Sequence, residues 1–452
     1  MAIFGSAQGL NVAVSLLRNK VVAMVLGPWG MGVIALYNSA IRLLQLATGL
    51  GLGTSGVRYI AEGGEPSRLR SWSLMAAVAG VVLCLGSSPL MSQWLFGDTN
   101  HVRAIVCLAI VVGLTTLTNS ELALLKGRGL RREIALQSIA ACLLTALTTI
   151  PLLLFWRERA IVPSIVAASL AGFVAVVWFS YRLFPLRGTL SRKYLNHGKE
   201  LLQLGAFFVV ASVVASGSDL LVRTLMNRSG VLADVGLFHA AYMTIMSLST
   251  VFFNSMDTDY YPRLSAIKMP KNKATALINS QIEVAILTIA PFVILGNVLM
   301  EWIIPLLFTN KFLPALDAMH LIMLALYLRA MKLPLSYIPL SQNKGLHYFL
   351  LESLYYVLFV LFVWQGYVKF GITGAGIGVL LTAIVDYFML SGYAFVMYKY
   401  HYPARLWLIC GAQIALGLFS WWVGSNVWWI GVICFVLSAV FSLSIFSHRT
   451  RE

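Results

Sequence analysis

Charged residues are scarce in this chain. Asp, Glu, Lys and Arg make up 11% of its 452 residues, against about 25% in a soluble domain. Hydrophobic residues make up 59%, and mean hydropathy is +0.82. A soluble globular protein is excluded, and an integral membrane protein is expected. Ten-residue alternations of apolar and polar residues are also missing; the apolar segments run to helix length, which excludes an outer-membrane barrel. Cysteine is sparse. The five (Cys84, Cys107, Cys142, Cys410, Cys434) are odd in number and scattered through apolar segments. They offer no disulfide framework and no metal spacing, and read as small helix- or lipid-facing residues. No Walker-type glycine loop precedes a helix, so ATP hydrolysis is not expected and no cofactor is implied. No far-side loop is long enough to carry the paired acids and histidine of a glycosyl-transfer site. The N-terminus lacks a basic region and a small-residue cleavage site, and is expected to stay uncleaved.

Acids are scarcer than bases, 17 against 33, for a net charge of +16. In a soluble protein that would point to nucleic acid. Here the cations fall mostly in short loops, where they orient helices and meet anionic lipid, so no nucleic acid is expected. Fourteen apolar segments of spanning length run from 7–27 to 427–446, predicting an all-α membrane protein of about fourteen helices. Loops after even-numbered segments hold 23 of the 33 Lys and Arg, including Arg68, Arg70, Lys126, Arg329 and Lys332. The other loops hold 7, and Arg18, Lys20 and Arg42 make up the rest. That bias predicts both termini on the cytoplasmic side.

The longest basic loop divides the chain. It predicts an N-terminal six-helix lobe over 1–184, a basic cytoplasmic linker over 185–200, and a C-terminal six-helix lobe over 201–400. An apolar hairpin of helices 13 and 14 with a cytoplasmic tail follows over 401–452. The halves echo each other at an offset of about 200 residues: Gly32 and Gly236 begin helices 2 and 8, and Gly129-Leu130-Arg131 is matched by Gly345-Leu346-His347. Two repeats of one orientation predict a substrate site between the lobes, near the midplane. The last hairpin carries no Asp, Glu, Lys or Arg between Leu406 and His448, and its turn is bracketed by Trp421-Trp422 and Trp428-Trp429. It reads as facing lipid or a lipid tail.

The candidate site residues centre on 18–62. Arg18, Lys20 and Arg42 interrupt apolar sequence on either side of a Gly27-Pro28-Trp29-Gly30 turn. A cation in hydrocarbon costs at least about 2.5–3.5 kcal/mol on insertion scales, so such residues face a wet cavity or a partner. At the helical rise, Lys20, Arg18 and Arg42 lie about 10, 14 and 18 Å below the turn, a basic slab suited to an anionic substrate. Arg18 and Lys20 are about 200° apart around a helix and do not both face the lumen squarely. Asp219 and Arg223 are spaced i, i+4, the order that favours a local ion pair, and also fall beside the expected cavity. Asp386 lies mid-helix with no charge in its own segment; it either takes a partner from another helix or is a proton site. His239 is a further cavity candidate. Glu121, Asp257 and Asp259 lie toward helix ends, where solvent or a basic loop residue accounts for them.

The run Asn19-Lys20-Val21-Val22-Ala23, leading into Leu26-Gly27-Pro28-Trp29-Gly30-Met31-Gly32, resembles the start of the bacterial O-antigen translocase (lipid-linked oligosaccharide flippase) family. So does Gly51-Leu52-Gly53-Thr54-Ser55-Gly56-Val57-Arg58-Tyr59-Ile60-Ala61-Glu62. Asp219 with Arg223, Asp259-Tyr260-Tyr261-Pro262-Arg263-Leu264-Ser265 and Lys332-Leu333-Pro334-Leu335-Ser336-Tyr337 resemble family positions too. The resemblance implies the polysaccharide transporter branch of the multidrug/oligosaccharidyl-lipid/polysaccharide exporter superfamily, with two six-helix bundles forming a V. It implies a polyprenyl-diphosphate-linked oligosaccharide as substrate, moved from the cytoplasmic to the periplasmic leaflet of the bacterial inner membrane. Fourteen helices resemble the lipid II flippase branch instead. On this reading Arg18, Lys20 and Arg42 cradle the diphosphate, which fixed cations outside bulk water hold well, and the lobes rock in alternating access. A proton or sodium ion at Asp219 or Asp386, or the membrane potential, supplies energy, and polysaccharide polymerase machinery is a candidate partner. A cation-coupled multidrug exporter and a membrane sugar polymerase are the alternatives; the first would favour a carboxylate-lined cavity and the second a long far-side loop.

Overall fold

The computed structural model describes residues 2–185, 199–267, 272–424 and 427–449. These residues form helices and connecting turns, with no strand among them. The helices are α1 (Ala2–Thr48), α2 (Leu52–Ala61), α3 (Pro66–Phe96), α4 (Val102–Gly127), α5 (Arg131–Trp156), α6 (Ile161–Leu183), α7 (Lys199–Ser229), α8 (Leu232–Ser265), α9 (Asn272–Leu307), α10 (Leu316–Ser341), α11 (Gly345–Tyr398), α12 (Ala404–Gly424) and α13 (Trp428–Arg449). Ten segments of the described residues are long and apolar enough to cross a membrane. Three of them, Gly9–Thr48, Arg131–Leu183 and Gly345–Tyr398, have 40, 53 and 54 residues, about twice the length of one crossing. The chain is therefore an all-α, multi-pass membrane protein. All but the ends of the expected linker 185–200, and the side chains of Asp257 and Asp259, lie outside the described residues.

Glycines place the breaks. Gly27 has φ +66° and ψ −168°, a backbone region open to a residue without Cβ. Pro28 follows with no N–H to satisfy and φ already set for a first helical turn. The expected 27–30 turn is thus a break at one residue within α1. Leu50 and Gly51 both take positive φ, which ends α1 and starts α2. In α11 the break falls at Phe370 and Gly371, with Gly371 at φ +60°. The chain turns back on itself there. A Cβ at Gly366 would strike the Gly374 carbonyl, and one at Gly378 the backbone of Phe362 and Val363. Gly374-x-x-x-Gly378 is the small-residue spacing that lets membrane helices approach backbone to backbone.

Contacts divide the chain into two compact units, residues 1–236 with 307–311 and residues 237–306 with 312–452. The repeat-based lobes are a different division, and α7 is where the two differ. In the first unit α7 is tied to α1 and α3. Ser39 Oγ donates to Asp219 at 2.8 Å. Asn227 donates to the Leu95 carbonyl, and Arg228 to those of Trp94 and Gln93. These donors satisfy carbonyls at the C-terminal end of α3, where a cation is also favoured by the helix dipole. Gly32 and Gly236, matched as repeat equivalents, meet in space: a Cβ at Gly236 would enter the Pro28 carbonyl, and one at Gly32 the Leu232 carbonyl.

The polar centre of the first unit is Arg70 with Glu121. Arg70 belongs to α3 rather than to a loop, and its side chain is 5% exposed, that of Glu121 6%. Nε donates to Oε1 at 2.7 Å and Nη2 to Oε2 at 3.0 Å. Nη1 donates to the Phe184 carbonyl at 2.9 Å, Ser180 Oγ to Glu121 Oε2 at 2.5 Å, and the guanidinium lies 4.4 Å from the Tyr181 ring. One bidentate pair therefore joins α3, α4 and the end of α6, with Phe184 and Ser180 taking further hydrogen bonds from it or giving them to it.

In the second unit the two stretches quoted around Tyr260 and Pro334 pack together. Tyr260 Oη donates to the Pro334 carbonyl at 2.9 Å, and the Tyr337 ring rests against Tyr260 and Tyr261. The α12–α13 hairpin, expected from its lack of charge to be purely apolar, carries buried polar side chains. Ser438 Oγ donates to Gln413 Oε1 at 2.6 Å, and Gln413 Nε2 to Ser442 Oγ at 3.1 Å. All three are buried and form a polar seam between the helices, as membrane helix pairs favour. Leu408, Trp422 and Leu443 stay exposed and suit a lipid-facing side.

Two predictions follow from these contacts. Glu121→Ala leaves the Arg70 guanidinium buried and unpaired, which costs about 3–5 kcal/mol, whereas Arg70→Met with Glu121→Leu restores most of the loss. Thermal unfolding in detergent checks both. His101, in the α3–α4 turn, has Nδ1 2.7 Å from Tyr37 Oη and stacks on Phe96 at 3.8 Å. Burial pushes its pKa below the ordinary 6.5, against a smaller upward pull from Asp98. The unfolded chain therefore takes up this proton first, and stability falls as pH drops through 6.5. Melting curves from pH 7.5 to 5 show a shallower slope in His101→Gln.

Candidate functional site

Each unit carries a polar cavity of its own. In the first, α1 brings Arg42, Gln45 and Leu46 to one wall, with Gly49 just after the helix. Arg42 and Gln45 are three apart on a helix and so share a face. Gly51, Gly53 and Thr54 add the N-terminal end of α2, while Asn119, Leu122, Ala123 and Lys126 come from α4 and Val209 and Ser212 from α7. The cavity measures about 380 Å³, and a recess lined by Asn38, Thr115 and Thr118 adjoins it. Among the described residues, Arg42 and Lys126 are the charged ones of this lining, with no carboxylate. The start of α2 adds the positive end of a helix dipole.

Arg18 and Lys20 are not brought to this cavity. Arg18 lines a separate one of about 260 Å³ with Asn11, Ser15, Ser138, Cys142 and Thr145, between α1 and α5. Lys20 is half-buried and engaged in contacts of its own. Asp219 and Arg223 form the local ion pair. Arg223 Nη2 donates to Asp219 Oδ1 at 2.8 Å, with Arg223 1% exposed. His239 is half-buried on α8 and is not a lining residue of the cavities described here.

Asp386 lies in the second unit, where it has a partner from another helix. Lys332 Nζ of α10 is 2.5 Å from Asp386 Oδ2 and 3.9 Å from Glu352 Oε1 of α11. The ammonium also lies 4.4 Å from the Tyr355 ring. Arg329, one turn before Lys332, completes a set of two cations and two acids. With Tyr242, Tyr337, Tyr348, Tyr355 and Tyr356 they line a cavity of about 290 Å³. Arg329 and Lys332 were counted among loop cations, yet both fall within α10 and face this cavity. The sequence carries the signal, since Arg329 and Lys332 stand three apart with apolar residues before and after them. Lys126 was likewise assigned to a loop, though it closes α4. Asn119 and Gln45 carried no signal of their own, because lone amides in a span are common and only their convergence on Arg42 distinguishes them.

The profile of the family described as polysaccharide biosynthesis protein matches residues 21–317, well over half of the chain. This chain belongs to that family. The family match takes in the whole Arg42 cavity, whereas most of the Arg329–Asp386 cavity lies beyond it. Among relatives, the lipid III flippases of Escherichia coli (strain K12) and Shigella flexneri are each 22% identical over 409 residues, covering 86% of this chain and 96% of theirs. Among solved structures, the lipid II flippase MurJ in an inward closed conformation superposes with a TM-score of 0.73 at 13% identity, covering 100% of both chains. An inward-facing multidrug resistance MATE family transporter of the MOP superfamily gives 0.64 at 17% identity, covering 86% of this chain and 96% of that one. At such identities the structural likeness is one of fold.

The Lys332–Asp386 pair gives a test of how the second cavity is held. Lys332→Met strands a buried carboxylate and lowers stability by about 3–5 kcal/mol, and adding Asp386→Leu recovers most of it. Thermal unfolding of the two variants beside the wild type reads this directly.

Proposed function

We propose that this chain is a flippase. Its substrate is an undecaprenyl-diphosphate-linked oligosaccharide, an O-antigen or similar surface repeat unit. It moves this lipid from the cytoplasmic to the periplasmic leaflet of the bacterial inner membrane by alternating access. The observation that carries the reading is the Arg42 cavity. Two cations and a helix N-terminus with no opposing carboxylate suit a dense anion. Gln45, Asn119, Thr54 and Ser212 add neutral hydrogen-bonding groups. Arg42 and Lys126 are both exposed, free to form charge-assisted bonds to phosphate oxygens, which are stronger than neutral ones. Family membership supports surface-polysaccharide chemistry, and the relatives named lipid III and lipid II flippases support a lipid-linked substrate. A cationic drug would meet like charge in this cavity, which weighs against the multidrug exporter.

Arg42 carries the cradle in this proposal, joined by Lys126. Arg18, at its own polar cavity, and Lys20 are secondary contacts of the same helix. The test is transfer of a fluorescent polyprenyl-diphosphate oligosaccharide in liposomes, read by leaflet-specific quenching. Arg42→Ala removes a charge-assisted contact of about 1.5–3 kcal/mol, a ten- to hundredfold loss of substrate affinity, while Arg18→Ala and Lys20→Ala cost less. Unchanged transfer by Arg42→Ala at equal protein levels would overturn the cradle. Absence of transfer, with efflux of a cationic dye under a proton or sodium gradient, would overturn the flippase.

A further inference from the structure

The cavity of the second unit differs from the Arg42 cavity in the property that selects a ligand, its charge balance. Arg329 and Lys332 are matched by Glu352 and Asp386. A diphosphate gains no net attraction there, and neither does a cationic drug. The two acids are held by the lysine, at 2.5 and 3.9 Å, so the site is polar but already neutral. Its other prominent lining is aromatic, five tyrosines in one small space. At about 290 Å³ it stands at the low end of the about 300–1,000 Å³ of small-molecule sites, room for one ring rather than a chain of them.

These features describe the surface of a sugar. A pyranose has a C–H face that packs on an aromatic ring and a rim of hydroxyls that seek charged donors and acceptors. Tyr355 is already covered by the Lys332 ammonium and serves to hold it. Its neighbour Tyr356 stands edge-on to it, ring centroids 5.0 Å apart, and is half-buried at the cavity wall. Lys332 is 14% exposed and Glu352 21%, enough to reach a ligand while staying braced. We propose that this cavity binds one uncharged sugar residue of the lipid-linked oligosaccharide. Tyr356 offers the stacking face, and Glu352, Lys332 and Arg329 bond the hydroxyls. The identity of the bound lipid as substrate rests on the flippase reading; the sugar site itself does not.

The experiment uses the full chain in lipid nanodiscs and saturation-transfer NMR with methyl glycosides of glucose, galactose, mannose, N-acetylglucosamine and N-acetylgalactosamine. At least one glycoside is expected to bind. Its signal falls about tenfold in Tyr356→Leu and in Glu352→Gln, the loss of one good contact, and persists in Tyr356→Phe, which keeps the ring. Binding also persists in Arg42→Ala, whose cavity is a different one. No binding by any glycoside, or equal binding by Tyr356→Leu and Glu352→Gln, overturns the proposal. Liposome transfer separates the two readings. Transfer without glycoside binding removes the sugar site and leaves the flippase; glycoside binding without transfer removes the flippase and leaves the sugar site.

Discussion

A charge inside a membrane must be paired or wet, and that single constraint accounts for most of what is specific in this structure. Arg70 and Glu121 meet it by a bidentate bond, with the Phe184 carbonyl and Ser180 hydroxyl as further partners. Arg223 meets it with Asp219, and Lys332 with Asp386. The Arg70–Glu121 and Lys332–Asp386 pairs each join two helices, and leaving either partner alone is far costlier than leaving both out. Arg42 meets the constraint the other way. Among the described residues no carboxylate lines its cavity, and the polar residues around it make room for water or for a ligand that supplies the missing charge.

The second constraint is steric. Lipid gives helices no hydrophobic reason to associate, so close packing must come from small residues. Gly366, Gly374 and Gly378 bring the two arms of α11 into backbone contact, and Gly32 and Gly236 do the same for α1 and α8. The polar seam of Gln413, Ser438 and Ser442 holds the last hairpin by hydrogen bonds instead. Both devices work only where the surrounding medium competes for neither contact.

Together these constraints leave the chain with cavities of two electrical kinds. One is cationic and hydrogen-bonding, the proposed phosphate site; the other is neutral and aromatic, the proposed sugar site. A lipid-linked oligosaccharide carries both chemistries. The two proposals therefore rest on separate cavities, and each remains testable when the other fails.

Composition and run length alone determined that this is an all-helical membrane protein, because apolar segments of helix length have no other stable state in lipid. The quoted glycine and proline runs around residues 27 and 51 were legible as the family's, and Arg42 stood out as a cation far from any acid in sequence. Only the tertiary structure decided what each charge does. Arg70, Arg329 and Lys332 look like loop cations in sequence, since nothing local tells a buried arginine with a distant glutamate from a solvated one. Arg18 and Arg42 fall at similar depth along the chain yet line different cavities, because depth follows from helical rise while the face presented depends on which helix packs alongside. The partners of Glu121 and Asp386 lie 51 and 54 residues away in sequence, and pairing across that separation is settled by packing, not by any local pattern.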